Sequence, residues 1–176
     1  LPKDYLAVDL SQLSGACECP VDGLIGADFF RNQVVQIDFD AGKVRRLAVP
    51  PPAGGQEVLS LKQSQGALRV PVRINQGAPQ WVRLDTGCAS SLQWVTGAGK
   101  SRAYPRQVAV ALTGISIAVA PTTVQLGGLC FEGVPTGLHE KSLFSGEAGL
   151  LGNGLLSRFG SVTIDARAGK VLLRRR

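Results

Sequence analysis

Histidine occurs once in the 176 residues, as His139, and no Cys-x-x-Cys pair accompanies it. Protein zinc centres draw on paired cysteines or several histidines, so the chain is not read as a metal protein, and no motif calls for another cofactor. His139 lies between Leu138 and Glu140 in a polar stretch and reads as an exposed loop residue. Aromatic residues make up only 6%, and none interleave with the basic clusters Lys43-Val44-Arg45-Arg46 and Arg174-Arg175-Arg176, which hold much of the positive charge behind a net +6. Nucleic-acid binders add stacking aromatics or a reading helix to such clusters, so nucleic acid is not an expected partner. Long apolar runs are missing too. The longest, Val108 to Ala120, is interrupted by Thr113, Gly114 and Ser116 and falls short of the ~20 residues a spanning helix needs, so no membrane span is expected. The chain opens at Leu1 with no signal-like apolar segment, and the expectation is that any targeting segment has been removed or lies outside this sequence.

What is present describes an ordinary globular chain: 44% hydrophobic and 18% charged residues, with 22 glycines and 10 prolines. Abundant turn formers and no long stretch of helix formers point to many short strands, hence an all-β fold. Ala48 to Glu57 holds three consecutive prolines and two glycines, a composition that packs no core and suits a linker. Three segments follow: residues 1–47, a Pro/Gly linker at 48–58, and a longer unit at 59–176. Within the last, Leu68, Val70, Val72 and Ile74 alternate with Arg69, Pro71, Arg73 and Asn75, the period of a half-buried strand. Trp81 to Leu84 continues as a second strand ending on Asp85. Gln107–Leu112 and Ile115–Val119 read as a hairpin turning at Thr113-Gly114. Leu155 to Phe159 reads as a short helix, and Ser161–Ala166 with Lys170–Leu173 as a closing hairpin.

Two segments repeat. Gly23-Leu24-Ile25-Gly26, Ile37-Asp38 and Gly42-Lys43-Val44 return as Gly149-Leu150-Leu151-Gly152, Ile164-Asp165 and Gly169-Lys170-Val171; from 23 to 149 the offset is 126, and from 38 to 165 it is 127. Against these two closing segments stands one Asp-Thr-Gly, Asp85-Thr86-Gly87. Val70 to Asn75, a turn, and Val82 to Ser91 resemble the start of a retropepsin-like aspartic protease of the bacterial type, and Gly149 to Val171 resembles its closing helix and strands. Residues 1–47 resemble only the closing part of such a unit. The resemblance implies a β-barrel half with one short helix, preceded by a truncated second copy. It also implies that Asp85 is catalytic, that Thr86 locks two active-site loops together, that Gly87 permits close approach, and that Thr113, Gly114 and Ile115 form a candidate flap. Cys88 stands where the family usually has Ala or Ser. Asp22, Asp28, Asp38 and Asp165 lack a following Thr-Gly or Ser-Gly and read as caps or strand ends.

Hydrolysis of this kind needs two carboxylates close enough to share one proton: the ionised one activates water while the protonated one hydrogen-bonds the carbonyl. Asp85 alone is half of such a pair. The second aspartate is therefore expected from a homodimer mate or from an N-terminal half forming a single-chain pseudodimer, with an extended peptide or protein as substrate. The competing readings are a peptide-binding or inhibitory module that kept the fold without turnover, and a structural exported domain in which Asp85 caps a turn. Cys17, Cys19, Cys88 and Cys130 allow three full pairings. Cys88 can pair with Cys130, Cys17 or Cys19, or stay reduced. The even count points to an exported, oxidised protein, periplasmic or secreted, against four thiols in a reducing compartment.

Overall fold

Strand-forming residues separated by glycine-rich turns fold into thirteen strands among the residues described by the computed structural model, which are 7–17, 19–96, 104–110, 113–142 and 144–176. In order these are β1 Val34–Asp38, β2 Lys43–Leu47, β3 Gln56–Ser60, β4 Lys62–Ser64, β5 Ala67–Ile74, β6 Gln80–Asp85, β7 Leu92–Val95, β8 Tyr104–Val110, β9 Thr113–Leu126, β10 Leu129–His139, β11 Gly149–Gly152, β12 Ser161–Asp165 and β13 Lys170–Arg174. Two short helices, α1 Ser11–Cys17 and α2 Asn153–Leu156, and a 3-10 turn at Ala27–Phe30 complete the elements. The all-β expectation is met. The helix expected at 155–159 begins two residues earlier and is a single turn, and α1 has no counterpart in the sequence reading.

One sheet runs β4-β5-β6-β11-β7-β10-β9-β8, and β5 also pairs with β9 through Arg73–Gln125 and Ile74–Val124. That extra pairing closes β5, β6, β11, β7, β10 and β9 into a barrel. Its interior takes the alternating apolar residues, Val70, Val72, Val82, Leu84, Leu92, Val124 and Leu126, and each fully buried Leu or Val contributes about 1.5–3 kcal/mol. The hairpin arm expected at 115–119 extends into the continuous β9, Thr113–Leu126, where Pro121 faces Pro135 of β10. Neither proline has an N–H to give the ladder, and β10 carries a bulge between Phe131 and Val134.

A second sheet, β2-β1-β12-β13-β3, joins the two repeats. Its centre is symmetric: Val34 pairs with Asp165 and Asp38 with Ser161, so the register reads identically from either strand, and at the middle Gln36 Nε2 donates to Thr163 Oγ1 at 3.3 Å. A pseudo-twofold axis passes between those residues. The equivalent aspartates act alike: Asp38 Oδ1 accepts the Ala41 N–H (3.0 Å), and Asp165 Oδ1 accepts those of Arg167 and Ala168 (3.1 and 2.9 Å). Each caps the turn of its own hairpin, which is the non-catalytic role expected of them. Residues 48–55 carry no strand, whereas Gln56 to Val58 already belong to β3 on the edge of β13.

Candidate active site

The chain leaves β6 at Asp85 and must reach β7, yet β11 lies between those strands, parallel to β6 and antiparallel to β7. The connecting loop therefore crosses over the end of β11. Leu150, Leu151 and Gly152 sit opposite Arg83, Leu84 and Asp85. At the crossing, Gly152 N–H donates to Ser91 O (3.1 Å), Asn153 N–H to Cys88 O (2.7 Å) and Gly154 N–H to Ser90 O (3.2 Å). The orphan amides at the start of α2 are thus satisfied by the carbonyls of the Asp85 loop, and loop and helix fix each other. A Cβ on Gly152 would run into the carbonyl oxygens of Ser90 and Cys88, and one on Gly149 into the Gln93 backbone. This close approach is why Gly149-Leu150-Leu151-Gly152 begins and ends on glycine. Gly152→Ala is expected to cost about 1–3 kcal/mol in urea unfolding, and a neutral result would show that the crossing loop is free to move aside.

Asp85 is half-buried, its Oδ1 accepting the Gly87 N–H at 3.0 Å, and the Cys88 N–H closes the turn onto Asp85 O at 3.2 Å. Asp85, Thr86 and Gly87 line a cleft of about 320 Å³ whose other walls include Leu24, Ile25, Ala27, Phe30 and Ile164. The cleft is mostly apolar and is built from both repeats. Cys88 faces inward behind it. Burial pushes its thiol pKa up, with the Asp85 charge adding to the effect, so the thiol stays protonated and poorly reactive.

Beneath the loop lies a buried ion cluster that the sequence reading missed. Glu147 accepts two parallel N–H bonds from Arg83 Nε and Nη2 (both 2.9 Å) and one ion pair from Arg69 Nη2 (2.6 Å). Arg83 also stacks on Phe144, its guanidinium carbon 3.7 Å from the ring centroid. Arg69 was expected on the outer face of β5 and is buried because of this partnership. Only a tendency of buried arginine to require a carboxylate could have hinted at it, and that carboxylate lies 64 residues beyond Arg83.

Several expectations need correction. Cys19, Cys88 and Cys130 are all free thiols, Cys19 and Cys130 exposed and Cys88 buried, so neither a Cys88–Cys130 bridge nor one from Cys88 to Cys19 is formed. The side chain of Cys17, and with it any pairing expected of it, lies outside the described ones. The hairpin of the candidate flap exists, but Val110 pairs with Thr113 and Ala109 with Gly114. Thr113, Gly114 and Ile115 are therefore strand residues, and the connection at 111–112 lies outside the described residues. His139 is not on an exposed loop: it ends β10, is buried, and its Nε2 donates to Gln93 Oε1 at 2.6 Å. Burial lowers its pKa below the ordinary 6.5. Above pH 6.5 both folded and unfolded states hold it neutral, so its packing is fully available. As pH falls from 6.5 toward the lowered folded-state value the unfolded chain takes up the proton first, and stability declines. Urea midpoints for wild type and His139→Gln are expected to diverge between pH 7.5 and pH 5, the wild type falling more; parallel curves would refute the assignment.

Among the described residues no helix is long and apolar enough to cross a membrane, and no cluster of His, Cys, Asp or Glu could hold a metal ion. No protein-family model matches the sequence, and no curated protein matches it. Among solved structures the chain is similar to a retropepsin-like aspartic protease from Rickettsia conorii, with 21% identity and a TM-score of 0.50 over 68% of this chain and 93% of that one. At that identity the similarity is one of fold, and the barrel that presents Asp85 is a retropepsin-like one.

Proposed function

We propose that the chain belongs to an aspartic endopeptidase in which Asp85 and a second aspartate activate water between them to hydrolyse a peptide bond. The observation that carries this reading is the placement of Asp85. It ends a barrel strand, on a loop clamped by β11 and α2, beside an apolar cleft formed by both repeats, in a fold shared with a retropepsin-like aspartic protease. The paired repeats support reading residues 1–47 as the closing part of a first unit and residues 59–176 as a complete one. Thr86 would lock this loop against its counterpart, Gly87 would allow their close approach, and the β8–β9 hairpin would close over an extended peptide. The second carboxylate comes from a dimer mate or from an N-terminal half. Two such groups in contact cannot both ionise, which splits their affinities for the shared proton and assigns one the base role and the other the acid role.

The test is cleavage of an unfolded protein at acid pH by the full-length polypeptide, with blockade by a statine-type inhibitor and indifference to chelators as the expected pattern. The single Asp-Thr-Gly in this chain favours a second reading, a peptide-binding or inhibitory module. No cleavage, with an extended peptide still bound beside Asp85, would establish that one instead.

A further inference from the structure

The two repeats have the same sequence pattern and opposite surroundings. Leu150, Leu151 and Val171 are 2%, 1% and 1% exposed, whereas their equivalents Leu24, Ile25 and Val44 are 59%, 71% and 65% exposed. The cause is visible in the pairing. In the second repeat, β11 lies against β6, and β13 lies against β3. In the first, residues 24–26 form no strand pair and β2 is the end of its sheet. The glycines tell the same story: a Cβ on Gly149 would strike the Gln93 backbone, while one on Gly23 would meet nothing within 4 Å. The first repeat thus keeps a glycine suited to a close approach that no described residue makes.

We infer that the first repeat is a docking surface for two strands of a further copy of the unit, carried by a preceding segment of the same polypeptide. One strand would run parallel beside residues 24–26 with an aspartate opposite Gly26, as Asp85 lies opposite Gly152. The other would run antiparallel beside β2, as β3 runs beside β13. The pseudo-twofold axis between Gln36 and Thr163 relates the two arrangements. It also turns the incoming loop toward the cleft that Leu24 and Ile25 already share with Asp85. A second copy of this chain is a poor occupant, because its β6 is already held on both edges by β5 and β11. Docking stands on these pairings alone; that it completes a catalytic pair rests on the proposed function.

The test extends the 176-residue chain with a copy of residues 56–126 ahead of Leu1, since the repeat offset makes residue 1 the equivalent of residue 127. Amide hydrogen exchange at 24–26 and 43–47 is expected to slow by at least ~10-fold relative to the unextended chain, and unchanged exchange would overturn the inference. Should the extension aggregate, a synthetic peptide of residues 80–91 titrated into the 176-residue chain reads the same edge: amide shift changes at 24–26 support docking, and their absence overturns it. Protection without proteolysis leaves docking standing and removes the proposed function. Unchanged exchange together with proteolysis by a homodimer of the unextended chain does the reverse.

Discussion

If the chain cleaves peptides as proposed, replacing Asp85 with Asn is expected to lower kcat by on the order of 10⁴-fold while leaving the melting midpoint within about 3 °C. The substitution is nearly isosteric. The amide oxygen can still accept the Gly87 N–H that Asp85 Oδ1 holds at 3.0 Å, and the carbonyls of Ser90, Ser91 and Cys88 still receive the amides of Gly154, Gly152 and Asn153. The loop therefore keeps its shape. What disappears is the negative charge that draws a proton from water and the ability to share a proton with a second carboxylate. In the proposed reaction both are needed in the transition state, so kcat and kcat/KM would fall together with little change in KM. Cleavage retained at a tenth of the wild-type rate would place the chemistry elsewhere, and a collapse of the melting midpoint would recast Asp85 as a turn cap.

Glu147→Gln is expected to destabilise the fold by about 3–5 kcal/mol, lowering the melting midpoint by roughly 10 °C. Arg69 and Arg83 face each other directly across β5 and β6, an arrangement that like charges oppose. The buried Glu147 carboxylate is what makes it tolerable, through a two-bond contact with Arg83 and an ion pair with Arg69. Its neutral amide leaves two guanidinium groups facing one another with their compensating charge removed. Because Arg83 precedes Asp85 by two residues on β6, the repulsion also loosens the end of the strand that presents the carboxylate. Urea unfolding measures the loss, and a change below about 1 kcal/mol would mean that water reaches and screens both arginines. Adding Arg69→Met to Glu147→Gln is expected to recover part of the stability by removing one of the two like charges that face each other across β5 and β6.

The amino-acid sequence by itself determined the strand-rich class, because alternation at 68–74 and the glycine-bounded hairpin at 161–173 are local patterns that any strand with one buried face must show. It also determined the repeat and singled out Asp85, whose position at the end of a strand followed from Trp81 to Leu84. The hairpin tip was misplaced because Gly114 fits a strand opposite Ala109 as readily as a turn. His139 looked exposed because its neighbours are polar, and its burial depends on Gln93, 46 residues away.

Only the tertiary structure decided that β11 inserts between β6 and β7, since a parallel contact between residues 67 positions apart leaves no local signature. The same holds for Glu147 between two arginines, for the three free thiols, and for the different fates of the two repeats. Leu24-Ile25 and Leu150-Leu151 are nearly the same dipeptide. One is buried and the other exposed because burial belongs to the strand that comes to lie alongside, and the sequence of a segment does not contain its neighbour.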